Sequence, residues 1–261
     1  MSSSPASEAT APYRAGDVIE RRVVCVTGAN RGIGLELCGL FLEKGCDVRA
    51  GCRAESEALA ALARASNGRL TTSHVDVSDE RSIEEFAAGL KADGVTHVDV
   101  VINNAGVVGS DGYSRWDLEH TTQEEMMYVF KVNTCGPVLM TKYLLQHGLI
   151  GTSADDGSET LVGNVTSKVG SIDDNGSGQG YAYRASKSAL NNCNKSMQID
   201  LASRGVKFAL LHPGWVRTDM TEGRGLIDAR ESARGLIRVL ENAFGDCQRT
   251  WFDYKGDAIP W

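Results

Sequence analysis

Residues 27–34 read "TGANRGIG". They close a short apolar run, "VVCVTG" at residues 23–28, and precede "LELCGLFLEKG", whose apolar residues recur at helical spacing before a final glycine. A buried strand, a glycine turn and an amphipathic helix, in that order, form the opening unit of a dinucleotide-binding βαβ fold. Glycine lets the backbone turn tightly and approach a pyrophosphate closely. The helix start offers free N–H groups and the positive end of a dipole. The spacing is G-x-x-x-G-x-G rather than the commoner G-x-G-x-x-G. Gly28, Asn30, Arg31, Gly32, Ile33 and Gly34 are the candidate cofactor-binding residues of this turn.

The same rhythm continues outward. "DVRAGCR", "LTTSHVDVSD", "VDVVINNAG", "TLVGNVTS" and "KFALLHPGWV" are near-continuous apolar runs. Between them lie the helical patterns "ESEALAALARAS", "SIEEFAAGLKA", "EEMMYVFKVNTCGPVLMTKYLL" and the stretch around "YAYRASKSAL". Apolar strands alternating with amphipathic helices predict an α/β fold with a buried, doubly wound parallel sheet of Rossmann type. No repeat or linker divides the chain, so residues 21–261 read as a single domain. Residues 1–20, which begin "MSSSPASEAT", read as a disordered tail without a secretory h-region. Two hydrophilic, glycine-rich loops stand out, "GTSADDGSE" before the fifth strand and "SIDDNGSGQG" before Tyr183.

Composition narrows the function. The chain has 261 residues, a net charge of −7 and 42% apolar residues. There is material for a large core and no basic excess for nucleic acid. No apolar run approaches the ~18 residues of a membrane span, so no membrane partner is expected. The seven cysteines (Cys25, Cys38, Cys46, Cys52, Cys135, Cys193 and Cys247) form no Cys-x-x-Cys pair. Most lie in apolar stretches and read as reduced core thiols, which suits a cytoplasmic protein. The five histidines form no metal-ligand pattern, and no metal is expected.

Cofactor choice should be set at the end of the second strand, where an acidic residue would hold the ribose of NAD. This chain has Arg53 there, in "AGCRAES", and Arg31 within the glycine turn. A guanidinium grips a 2′-phosphate with paired hydrogen bonds, so NADP(H) is the expected cofactor.

The fourth strand ends "VINNAG" and the fifth "NVTS", which brings Asn104 and Ser167 to the ligand crevice at the strand C-termini. Tyr183 and Lys187 share a helical face at i, i+4. Taken with TGxxxGxG, NNAG and the later "PGWVRTDM", this order of motifs resembles the short-chain dehydrogenase/reductase family over about residues 22–220. "YAYRASKSALN" and the closing "AIPW" are most similar to its sniffer-type carbonyl reductases and C-factor-like members.

The resemblance implies roles residue by residue. Tyr183 would be the general acid–base, and Lys187 would hold the nicotinamide ribose and lower the tyrosine pKa. Ser167 would bond the substrate oxygen, and Asn133 would fix a water in the proton relay. Asn104, Ala105 and Gly106, with Asp76 and Val77, would line the adenosine side. Pro213, Gly214, Val216 and Thr218 would contact the nicotinamide half. A homodimer through the helices of Asn133 and Tyr183 is implied too. The electrostatics agree: an ammonium about 4 Å from a phenol at an effective dielectric near 20 is worth about 4 kcal/mol, roughly three pKa units.

Fifteen residues separate Ser167 from Tyr183, and Ser171 lies nearer the tyrosine, but Ser167 follows the strand directly and is the expected serine. Tyr181 is a decoy, since Ala185 stands where its lysine would be. Asn133 could instead serve backbone groups freed by Pro137. The expected activity is hydride transfer from NADPH to an aldehyde or ketone. The alternatives are a cofactor-binding signalling or sensor protein and a dehydrogenase oxidising alcohols.

Overall fold

The computed structural model describes residue 14, residues 17–110, residue 112, residues 116–242 and residues 251–261. Cys247 and most of the expected tail lie outside the described residues. The end of that tail is packed: Ile19 is fully buried and its N–H donates to Glu241 Oε1 at 2.9 Å. The folded unit therefore begins before residue 21.

Seven strands form one parallel sheet: β1 (Val23–Thr27), β2 (Asp47–Cys52), β3 (Leu70–His74), β4 (Val100–Asn103), β5 (Thr160–Val165), β6 (Val206–His212) and β7 (Trp251–Asp253). Their order, β3-β2-β1-β4-β5-β6-β7, reverses direction between β1 and β4. That reversal opens a crevice at the strand C-termini. The helices are α1 (Gly32–Glu43), α2 (Glu57–Ala65), α3 (Glu80–Ala92), α4 (Gln123–Phe130), α5 (Gly136–Gln146), α6 (Tyr181–Leu201) and α7 (Ala229–Asn242).

Both faces of the central strands are covered, which is why they read as unbroken apolar runs. Val24, Val26, Val100 and Ile102 pack with Leu37 and Phe41 of α1, Leu59 of α2 and Leu236 of α7. Cys25, Val101 and Val162 face the other way, onto Phe86 of α3 and Met140 and Leu144 of α5.

The long helix expected over "EEMMYVFKVNTCGPVLMTKYLL" is interrupted. Lys131–Cys135 form a π-helical turn between α4 and α5, and the Gly136 N–H bonds back to Lys131 O. Pro137 is the reason: it has no N–H for the Asn133 carbonyl four residues earlier, so the ladder widens by one residue.

Candidate active site

The glycine turn is built as its sequence demands. Gly28 and Gly32 have φ of 66° and 52°, the left-handed region. A Cβ on Gly34 would run into the Gly28 carbonyl. Asn104 clamps the turn from β4: its Nδ2 donates to the carbonyls of Thr27 (3.0 Å) and Gly28 (3.2 Å). The N–H groups of Asn104 and Ala105 both donate to Thr27 Oγ1. The Asn104 amide thus serves the turn itself. Helix α1 starts with no side chain capping its first N–H groups, so the uncapped start and the glycines form a cradle that fits a pyrophosphate.

Arg53 follows β2 and is exposed; its charge is felt at Asp76, just beyond β3. Burial would raise the Asp76 carboxyl, but bonds from the Ser78 hydroxyl and N–H, with Arg53 and His74 nearby, hold it below the ordinary value. Arg31 does something else. Its guanidinium pairs with Asp219 at 2.8 Å, across to the loop after β6. Both partners of that pair are exposed, at the rim of the glycine turn. Thr218 lies against Gly32, whose Cβ would be 3.3 Å from its methyl, so the Pro213–Thr218 segment borders the turn. Gly214 has φ of 85° and packs under Tyr254, Val216 bridges to Ile227, and the Pro213 carbonyl accepts from Ser232.

Lys187 is the centre of the second half. It is 4% exposed, and its Nζ donates to Val165 O, at the end of β5, at 2.8 Å. The same Nζ lies 5.7 Å from the centre of the Tyr183 ring. Two glycines make room for it. A Cβ on Gly106 would lie 3.6 Å from Nζ, and one on Gly170 would meet the Lys187 Cβ at 2.9 Å. Burial pushes the Lys187 ammonium down to about 7.

Ser167 is buried at the start of a short turn, and its Oγ accepts from Val169 N at 3.4 Å. A hydroxyl that accepts there keeps its own proton to donate. Ser171 is committed elsewhere: its Oγ donates to Trp261 O and accepts from Asp174 N. The surplus residues before Tyr183 are tied down by Arg184, which donates to Val169 O, Gly178 O and Ser177 Oγ. Tyr181 is the first residue of α6 and is 42% exposed.

Asn133 lies in the π turn and is fully buried. Its Oδ1 accepts from Val107 N at 2.9 Å, and its Nδ2 donates to Val107 O at 2.8 Å and Ser186 Oγ at 3.0 Å. The side chain is therefore saturated as a donor, and Pro137 has no N–H to offer the Asn133 main-chain carbonyl. Ser186, unmarked by the sequence, passes this anchorage on by donating to Tyr183 O at 2.7 Å. Its signal was its position, i+3 from Tyr183 on the helix face turned to the π turn. Val77 backs the same turn, where a Cβ on Gly136 would meet Val77 O.

This cradle, with a phenol, an ammonium and a serine hydroxyl grouped at the ends of β4 and β5, matches a known pattern. The model of the short chain dehydrogenase family matches residues 22–226. The chain belongs to the short chain dehydrogenase family. It is thus an oxidoreductase. Among members, C-signal of Myxococcus xanthus is 40% identical over 165 residues, covering 63% of this chain and 93% of that protein. The carbonyl reductase Sniffer of D. melanogaster superposes with a TM-score of 0.81 at 26% identity, covering 93% of this chain and 100% of that one. The NADPH-bound carbonyl reductase from chicken fatty liver gives 0.78 at 29%, over 93% and 100%. Among the described residues no group of three or more His, Cys, Asp or Glu could hold a metal, and no helix is long and apolar enough to cross a membrane.

The buried lysine generates a stability prediction with a definite sign. Its folded value, about 7, lies below its ordinary 10.5, so folding pays a penalty that is complete below pH 7. The penalty fades as pH rises toward 10.5. Lys187→Met removes it while losing the bond to Val165. The expected gain in unfolding free energy is about 2 kcal/mol at pH 6, shrinking to nothing or a loss by about pH 10. Urea unfolding at both pH values measures it.

Proposed function

We propose that the chain is an NADPH-dependent reductase of carbonyl compounds. The observation that carries the reading is Lys187, buried against Val165 O and facing the Tyr183 ring, with Ser167 at the end of the same strand. NADPH, when bound, supplies a hydride to the carbonyl carbon. Tyr183 gives its phenolic proton to the carbonyl oxygen, and Ser167 donates a hydrogen bond to that oxygen as its charge grows. A cation at Lys187 favours the phenolate left on Tyr183. Lys187 loses its proton easily in the free protein, so negative charge brought by the cofactor strengthens that cation. The proton returns to Tyr183 from solvent by way of Lys187 and a water on the Asn133 carbonyl.

Several features support NADPH as the partner. Arg53 stands where NAD would call for a carboxylate, and the chicken carbonyl reductase is NADPH-bound. Gly28, Asn30, Gly32, Ile33 and Gly34 would hold the pyrophosphate, and Asp76, Val77, Asn104, Ala105 and Gly106 would border the adenosine. Pro213, Gly214, Val216 and Thr218 would face the nicotinamide. A second reading, cofactor binding for signalling without turnover, is favoured by the similarity to C-signal.

Two experiments test this. Tyr183→Phe should retain NADPH binding while carbonyl-dependent NADPH oxidation falls by about 10²–10⁴-fold. Tyr181→Phe should stay within a few-fold of wild type. Wild type that binds NADPH yet oxidises none with any aldehyde or ketone would favour the signalling reading. Arg53→Asp should remove most of a preference for NADPH over NADH of roughly 10- to 150-fold, the value of one charged hydrogen bond to the 2′-phosphate. The readout is kcat/KM for each cofactor; a wild type that prefers NADH contradicts the role of Arg53.

A further inference from the structure

Trp116 lies in the connection between β4 and α4, far from every motif above, yet its ring centre is 6.1 Å from that of Tyr183, the planes inclined at 34°. Two features hold it there. The Gly180 N–H, at the start of α6, donates to Trp116 O at 2.6 Å. Gly180 also has φ of 64° and no side chain, and a Cβ on it would press on the indole at 2.9 Å. The backbone bond is indifferent to the side chain, so the indole is not needed to fasten α6. It is half-buried, and its ring and the Tyr183 ring form a wedge. The segment after β6 carries exposed Trp215, Met220 and Leu226. It reaches toward the Trp116 connection, where a Cβ on Gly112 would lie 3.7 Å from Glu222 Oε1. An exposed apolar surface beside a reacting hydroxyl is where an apolar ligand would dock.

We infer that Trp116 is the specificity-determining residue for the substrate, and that the substrate class is an aryl carbonyl compound whose flat ring rests on the indole. This rests on the reductase reading above. An aromatic group next to the carbonyl stacks or meets the indole edge-to-face when its oxygen is within reach of Tyr183. A small alkyl carbonyl reaches the same hydroxyl but leaves the indole uncovered.

The test compares two methyl ketones, 2-acetylnaphthalene and butanone, with NADPH and the whole protein. Wild type should show a higher kcat/KM for the naphthyl ketone. Trp116→Ala should lower that preference about tenfold or more, and Trp116→Phe should keep most of it. Butanone kinetics and NADPH affinity should hardly change in either variant. Equal loss for both ketones in Trp116→Ala would make Trp116 a scaffold residue and overturn the inference while leaving the reductase reading intact. So would an unchanged preference. Wild type that binds NADPH but reduces neither ketone would overturn the inference alone if other aldehydes or ketones are reduced, and the reductase reading with it if none is.

Discussion

The site is organised around one buried ammonium. An isolated lysine charge cannot be taken out of water without a partner. Here the partner is the Val165 carbonyl at the end of β5, and most of what surrounds the site keeps that contact in place. Gly106 and Gly170 leave the space that the lysine fills. The π turn presents Asn133 and Thr134 to Ser186, one residue before the lysine, through bonds of 3.0 and 2.8 Å. Just past the end of β5, Thr166 Oγ1 donates to Asn191, one turn further along α6. The helix is thereby held to the π turn just before Lys187 and to the end of β5 one turn after it.

The same constraint explains why so many polar side chains are buried on this flank of the sheet. Asn103 donates to Asn164, and Asn164 donates to Asn194 of α6, each at 2.8 Å. Buried amides linked in this way fix one register of α6 over β4 and β5, because a slip leaves each of them unsatisfied. A desolvated lysine at their upper end works against stability, and the chain keeps it where chemistry would need a cation that responds to what binds above it.

Much of the fold was legible because the alternation of covered strands and one-sided helices writes itself into the hydrophobic pattern. The strand β7 was not: three residues are too few to show a period. The π turn was hidden because apolar spacing runs through it, and only Pro137 betrays the break. At the site, residue types were legible and some of their work was not. Asn133 was marked by its neighbours, but its side chain binds Val107 and Ser186, which lie far away in sequence. Arg31 was marked by its place in the glycine turn, but its pairing with Asp219, far away in sequence, was not. Trp116 carries no motif, and its place beside Tyr183 comes from how the long connection after β4 folds back onto Gly180.

The most direct test of the buried ammonium is titration of the Lys187 amine by NMR on protein with 15N-labelled lysine, assigned with Lys187→Met. The account predicts a midpoint near 7 in the free protein and a higher midpoint with NADPH bound. A midpoint near the ordinary 10.5 in the free protein, or one that does not move when NADPH is added, would contradict it.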